Sequence, residues 1–180
     1  MCRLLACLSV VAMLGGVVLC AGQANRLVEE VRPASVRGHA TVYETINRKA
    51  ATNPVRDLKV YLFASDAVKP FVELQNNCRR VMRQPKADPV QTYQLCEIAL
   101  NQAFELIPTL PAVATAKTGP DGSFAFDNVV PGRPYHLIGI KPGEDGSPIV
   151  MVFKTSSLRP GQQLNLELSE NAPWTGPILE

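Results

Sequence analysis

The stretch that decides the fold is Gly119-Pro-Asp-Gly-Ser-Phe-Ala-Phe126, followed closely by Pro131-Gly132. Its first four residues are dense in turn formers. Phe124 and Phe126 then alternate with smaller residues, a period-two pattern that predicts a strand with one buried face. Pro131-Gly132 breaks the chain before the next apolar run. Turns and short strands in close succession are typical of an all-β domain.

The same alternation recurs on both sides of this stretch. Seven short strands are predicted, over residues 35–43, 57–64, 112–118, 123–126, 135–140, 149–153 and 163–169. A polar turn is predicted from Asn47 to Pro54, between the first two strands. The chain contains 15 prolines and 12 glycines, enough for the turns that such a domain needs. The pattern predicts a mainly β, seven-stranded Greek-key sandwich.

Between the second and third strands, apolar residues recur at spacings of three and four. The first predicted helix, over 65–84, has an apolar stripe that comprises Phe71, Leu74, Cys78, Val81 and Met82. The second begins at Asp88-Pro89, ends at Pro108 and has a stripe of Tyr93, Cys96, Leu100, Ala103, Phe104 and Ile107. Proline is favoured at the first position of a helix. Residues 65–111 are therefore predicted to form an α-helical hairpin inserted into the sandwich.

The N-terminal segment has the pattern of a targeting sequence. Arg3 precedes an apolar run, and small residues end it at Ala24, so residues 1–24 are predicted to be a cleaved signal peptide. A membrane anchor would need about 20 apolar residues. Lipid attachment at Cys20 is disfavoured because the large Leu19 precedes it. We expect a secreted or periplasmic protein without stable membrane insertion after cleavage.

The predicted mature chain has further boundaries. Residues 25–34 form a lead-in, 35–169 form the sandwich domain, and 170–180 form a flexible tail. Only Cys78 and Cys96 remain after removal of the leader, and export to an oxidising compartment favours a disulfide between them. Two buried free thiols are the alternative. Two cysteines without nearby histidines do not complete a zinc site.

The charge excludes some partners. The formal net charge is only +2, and a nucleic-acid-binding protein normally has a concentrated basic patch. The nearest approach to one is the set Arg79, Arg80, Arg83 and Lys86, which we interpret as the solvated face of a helix. No nucleic-acid partner is expected.

Several segments together resemble the carboxypeptidase regulatory-like (transthyretin-like) domain family. They are Val36-Arg-Gly-His-Ala-Thr-Val42, Pro54-Val55 leading to Val60-Tyr-Leu62, Ala116-Lys-Thr118, Asp121-Gly-Ser-Phe-Ala-Phe126 and Val130-Pro-Gly132 with Tyr135. The residues that match the family's motif are Gly38, Asp121, Gly122, Phe124, Phe126, Pro131, Gly132 and Tyr135. The resemblance covers roughly residues 35–141.

The resemblance implies a prealbumin-like sandwich without catalytic activity, used by exported or surface proteins for binding, spacing or folding support. It also implies that Asp121-Gly122 makes a hairpin turn and that the two phenylalanines fill the core. The chain departs from the family's pattern in two places. Residues 65–111 are an insertion, and Arg133-Pro134 lengthen one motif by a residue.

An enzyme is not expected. Arg133-Pro-Tyr-His136 faintly resembles a segment of the intradiol dioxygenases, but the second histidine of that segment is replaced by Ile138. No serine stands in a Gly-x-Ser-x-Gly elbow. His39 and His136 are predicted to be surface strand residues, and no cofactor or metal is expected.

One candidate binding face emerges from the first two strands. Tyr43, Tyr61 and Phe63 alternate with the predicted core residues, and an antiparallel sheet normally leaves its second face polar. The favoured interpretation is that the helical hairpin covers this face. The alternatives are an aromatic platform for a glycan or peptide and an interface with a partner protein. The sequence thus predicts a non-catalytic exported module for protein–protein interaction or structural support, with a carbohydrate-binding module as the alternative.

Overall fold

The computed structural model describes residues 32–46, 49–84, 88–143, 146 and 148–169. The predicted signal peptide, the lead-in up to residue 31 and the tail at 170–180 lie outside these residues.

Eight strands and two α-helices occur in this part of the chain. The strands are β1 (Ala34–Ile46), β2 (Lys49–Pro54), β3 (Lys59–Ala64), β4 (Ala114–Lys117), β5 (Ser123–Val129), β6 (Tyr135–Pro142), β7 (Pro148–Lys154) and β8 (Gln163–Ser169). The helices, α1 (Lys69–Met82) and α2 (Pro89–Leu106), are flanked by the short 3₁₀ turns Ser65–Val68 and Ile107–Thr109. The β-sandwich class with an inserted helical hairpin is therefore confirmed.

The first sheet, sheet A, is organised around the long strand β1. One edge of β1 pairs in parallel with β8, and β5 and β2 pair antiparallel with it. The amide of Ala40 donates to the Gly122 carbonyl at 2.9 Å, and the Ala40 carbonyl accepts from the Val55 amide at 2.8 Å. The amide and the carbonyl of one residue in a strand point to the same edge of that strand. Strands β5 and β2 therefore follow one another along one edge of β1, and β8 lies along the other.

The strand β2 corrects the predicted polar turn at Asn47–Pro54. It runs from Lys49 to Pro54 and pairs with residues 41–46 of β1. The pairing of β2 is made by backbone groups, which do not require alternating apolar side chains. The sandwich therefore has eight strands in the described ranges, one more than the seven predicted.

The second sheet, sheet B, is antiparallel throughout and has the strand order β4-β3-β6-β7. It packs face to face against sheet A around one apolar core. The buried members of this core are Ala34, Val36, Ala40, Val55, Leu58, Val60, Leu62, Phe124, Phe126, Val129, Tyr135, Leu137, Met151, Leu158 and Leu168. Phe124 and Phe126 fill it as the sequence predicts, and their rings meet edge to face at 6.0 Å between centroids.

The Asp121-Gly122 turn links the two sheets and does not make a hairpin. The strand before it, β4, pairs with β3 in sheet B, whereas β5 pairs with β1 in sheet A. The Asp121 carboxylate stabilises the turn by accepting from the Ser123 hydroxyl at 2.6 Å and the Ser123 amide at 3.0 Å. These hydrogen bonds lower the pKa of Asp121. The hairpin prediction was wrong because each flanking strand has its partner in a different sheet.

A second crossing between the sheets is fixed by Tyr135 at the start of β6. Its ring is fully buried, while its hydroxyl donates to the Val130 carbonyl at 2.7 Å and accepts from Arg133 Nε at 2.9 Å. The Gly132 amide in the same connection donates to the Leu158 carbonyl at 2.7 Å. A buried tyrosine whose hydroxyl is satisfied in this way ties the connection to the core.

We expect Gly122→Ala to destabilise the sandwich by about 2–3 kcal/mol, more than the usual cost of a left-handed residue. Gly122 has a φ of +78°, and an added Cβ would lie 2.5 Å from the Ala40 carbonyl oxygen. Gly132→Ala is the matched control, because Gly132 has a φ of +89° and its Cβ would meet nothing within 4 Å. The control should cost about 1 kcal/mol. Equal losses in urea unfolding would contradict the role of the close contact.

Candidate functional site

The outer face of sheet B is covered by the helical hairpin. Its strands and the base of the hairpin share a second apolar core, which we call the outer core. Its buried members are Tyr61, Phe63, Val68, Phe71, Ala103, Ile107, Ile138, Ile140 and Val150. Sheet B is thus the middle layer of three, with a separate core on each face.

The candidate aromatic face is not an accessible surface. Tyr61 and Phe63 are 3% and 0% exposed, with their rings stacked at 5.7 Å between centroids. Tyr43 lies on β1 in the other sheet and is 62% exposed. The structure therefore does not bring the three side chains together. Of the three interpretations of this face, cover by the hairpin is the arrangement observed for Tyr61 and Phe63.

Beyond this core, the two helices pack against each other in a hairpin tip, defined here as residues 76–84 and 88–98. Cys78 and Cys96 form the predicted disulfide, with their Cα atoms 5.1 Å apart. With Ala99 they make a small buried cluster of their own, against which Leu100 packs. The side chain of Asp88 caps the start of α2 by accepting from the Val90 amide at 2.9 Å. A covalent link therefore replaces a large core in holding the tip together.

The tip exposes large apolar side chains on α2. Val90, Tyr93, Leu95 and Ile98 are between 49% and 70% exposed. Tyr93 and Met82 were predicted to belong to the buried stripes, and this was wrong. At the tip the two helices pack on each other through the small residues Cys78, Cys96 and Ala99, and Tyr93 and Met82 remain exposed.

Few charges accompany these apolar side chains. The 18 residues of α2 include two acidic residues, Glu97 and Glu105, and no lysine or arginine. Arg80 on α1 and Arg83 just after its end are exposed as predicted, whereas Arg79 is buried. The fourth residue of the predicted set, Lys86, lies outside the described residues. Arg79 follows the buried Gln75 by four residues and thus shares its helix face. The exposed side of α2 combines these apolar side chains with the uncharged Gln91 and Gln94 and with one acidic residue, Glu97. Depletion of charged residues is also a property of the centres of protein contact surfaces.

We expect the double variant Cys78→Ser, Cys96→Ser to lose about 3 kcal/mol of stability. The linked residues are 18 positions apart, and in the chain-entropy model a cross-link over such a loop constrains the unfolded chain by about this amount. Urea unfolding of the oxidised, reduced and variant proteins measures the loss. The reduced protein and the variant should agree, and an unchanged midpoint in both would contradict the role of the bridge.

A cleft of about 520 Å³ lies where the hairpin meets the ends of β6 and β7. Its lining comprises Ser65, Asp66, Lys69, Val72, Glu73, Pro134, His136 and Lys154. His136 was predicted to be a surface strand residue, but it is only 2% exposed. It lies on the same face of β6 as Ile138 and Ile140, and the hairpin covers that face.

The imidazole of His136 is enclosed without hydrogen bonds. Neither Nδ1 nor Nε2 has a partner, and neither has accessible surface. Burial, together with the positive charge of Lys154, its neighbour across the β6–β7 ladder, lowers the pKa of His136 to about 4. The ring is therefore neutral at neutral pH. Its enclosed donor and acceptor are each unsatisfied, an arrangement that costs free energy in the folded state.

We expect His136 to make the folded state less stable as the pH falls from about 6.5 to about 4. In this window the unfolded chain binds a proton at His136, whose usual pKa is about 6.5, and the folded chain does not. Proton binding by the unfolded state alone lowers the free energy of unfolding, here by up to about 3 kcal/mol.

Urea unfolding between pH 4 and 7 measures this effect as a difference between variants, because carboxylates titrate in the same range. His136→Leu should flatten the pH profile relative to the original chain. The only other histidine of the chain, His39, lies exposed on β1, so His39→Gln should leave the profile unchanged. Parallel profiles for the original chain and His136→Leu would contradict the assignment.

The described ranges contain no group of three or more histidine, cysteine, aspartate or glutamate side chains placed to hold a metal ion. Within the same ranges, no helix combines the length and the apolar character that crossing a membrane requires.

Comparisons with known proteins give no family for this chain. No protein-family model matches it, and no curated protein matches it. Among solved structures, it is similar to the N-terminal domain of the shaft pilin SpaA from Lactobacillus rhamnosus GG, with 9% identity, a TM-score of 0.39, and coverage of 81% of this chain and 99% of that one. The longer structure of the same pilin gives 7% identity and a TM-score of 0.32, with coverage of 78% of this chain and 50% of the pilin. Such weak similarities do not transfer the pilin's function.

Proposed function

We propose that this chain is an exported, non-catalytic β-sandwich module that binds a partner protein through the hairpin tip. The partner we infer presents an apolar, largely uncharged surface, because that is what the exposed side of α2 complements.

The observation that carries the proposal is the exposed apolar set Val90, Tyr93, Leu95 and Ile98 on α2. Aromatic and apolar side chains near the centre of a contact supply most of the binding energy in protein interfaces. The disulfide beside them restrains both helices before binding, which reduces the entropy lost when a complex forms. The tip therefore combines a contact surface with a rigid support.

Export is supported by two features. Residues 1–24 have the pattern of a cleavable leader, and the Cys78–Cys96 bridge is of the kind that persists in oxidising compartments. The resemblance to the carboxypeptidase regulatory-like family supports a binding or spacing role without catalysis. We also propose that the chain belongs to that family.

The carbohydrate-binding alternative depended on an open aromatic platform. Tyr61 and Phe63 are both buried beneath the hairpin, so a sugar ring has no access to them. We therefore do not propose glycan binding at this face.

Site-specific photocrosslinking tests the proposal. A photoreactive phenylalanine analogue is placed at Leu95 in the chain expressed with its own leader in its source organism, where the partner is present. We expect a single crosslinked species whose mass exceeds that of the chain by the mass of one partner protein. The same analogue at Tyr43, an exposed position on the other sheet, is the matched control and should give none.

A charge-introducing variant makes the test specific. Tyr93 and Ile98 are exposed, so Tyr93→Lys with Ile98→Lys should leave the sandwich stable but place two cations in the contact. The crosslink at Leu95 should then fall by about tenfold or more, as expected for the loss of two interface anchors. Crosslinks of equal strength at Leu95 and Tyr43, or no effect of the double variant, would overturn the proposal.

A further inference from the structure

The 3₁₀ turn Ser65–Val68, which we call the strap, crosses the start of β6 on its way from β3 to α1. Its hold on the sheet is slight. The Ser65 hydroxyl donates to the Pro134 carbonyl at 3.4 Å, and Val68 is buried in the outer core with Ala67 packed against it. Asp66 extends into solvent and pairs with Lys69 at 3.4 Å.

His136 lies beside the strap, at the cleft between the hairpin and sheet B. Although the ring lines this cleft, its nitrogens have neither accessible surface nor partners. Ser65 and Asp66 of the strap line this cleft together with the ring, so displacement of the strap would widen the cleft, admit water to the ring and allow it to bind a proton. The closed conformation therefore favours the neutral ring, and the open conformation accepts the charged one.

We propose that the strap is an acid-released cover of the cleft: it closes over neutral His136 and opens when that imidazole is protonated. The device is independent of the hairpin tip, which lies at the other end of the helices.

The charged groups around the ring do not compensate a proton on it. Lys154 on β7 is partly buried and directly opposite His136 in the ladder, so it repels an imidazolium. Lys69 on α1 adds a second positive charge, and its partner Asp66 on the strap has a side chain 93% exposed. Glu73 on α1 is also exposed. Both carboxylates lie in high dielectric, where their attraction for the ring is weak. The pKa of about 4 for His136 agrees with this balance.

Protonation is expected to displace the strap and not the whole hairpin. The hairpin is held to sheet B by Phe71, Ala103 and Ile107, whereas the strap contributes Val68 and the small Ala67. The core between the two sheets lies on the opposite face of sheet B from His136. Opening the strap therefore costs less free energy than separating the helices from sheet B.

The difference in the pKa of His136 between the open and closed forms predicts how strongly the opening of the strap depends on pH. With pKa values of about 6.5 in the open form and about 4 in the closed form, the opening equilibrium should increase about 20-fold between pH 7 and pH 5. Local openings of this kind are measured by amide hydrogen exchange.

NMR-detected amide exchange of the full mature chain, corrected for intrinsic rates, tests the proposal at these two pH values. Protection of residues 65–72 should fall about 20-fold at pH 5 and should respond little to low urea, as a local opening does. The amides of β1 and β8 report global unfolding, which His136 also favours at low pH, so their protection should be much higher and should fall steeply with urea. An equal urea dependence in the two sets would show that the strap opens only with the whole sandwich. The ring resonances of His136 should titrate well below 6.5, the usual pKa of a histidine. His136→Leu should abolish the pH response of the strap, and His39→Gln should preserve it.

Three further results would overturn the proposal. They are strap protection that does not change with pH in the original chain, a pH response that survives in His136→Leu, and a titration of His136 near 6.5 with the strap protected. Should His136→Leu fail to fold, the exchange and titration data of the original chain decide between the same outcomes.

Discussion

Strands β3 and β6 bury side chains on both of their faces, and the rest of the structure depends on this double burial. Along β3, Val60 and Leu62 enter the core shared with sheet A, while Tyr61 and Phe63 enter the core shared with the hairpin. An antiparallel sheet with one wet face would not need a third layer. Here the second face is apolar, so the hairpin must lie on it, and its position in turn fixes the free tip and the strap.

Much of this arrangement could be predicted from the sequence, because strands and helices differ in the period of their apolar residues. The pattern alone gave seven of the eight strands and both helices. The pattern did not decide what covers Tyr61 and Phe63. Aromatic residues at every second position of a strand are expected whether an insertion buries them or they are exposed to bind a ligand. His136 was misplaced although a signal was present. The run Leu137-Ile-Gly-Ile140 is apolar at consecutive positions, which indicates a strand buried on both faces.

The candidate site was harder to predict for a related reason. Helix α2 has apolar residues on more than one side, and a stripe can be drawn through either side. Choosing the stripe that contains Tyr93 placed an exposed side chain in the core. The tip lies beyond the edge of the outer core. This position is a property of the tertiary structure and cannot be inferred from the spacing of apolar residues along α2. Strand β2 escaped detection because its residues, Lys49-Ala-Ala-Thr-Asn-Pro54, are small or polar and show no alternation of large apolar side chains.

The two ends of the hairpin insertion meet sheet B at neighbouring strands. Leu62 is opposite Ala114, and the Val113 amide donates to the Leu62 carbonyl at 2.7 Å. The insertion therefore leaves and re-enters the sandwich across one strand spacing of about 4.8 Å, which an ordinary two-residue loop would also bridge. Such a junction makes the hairpin a replaceable cassette: different inserts are compatible with one sandwich. The single requirement on a replacement is an apolar underside, because the aromatic face of β3 would otherwise be open to water.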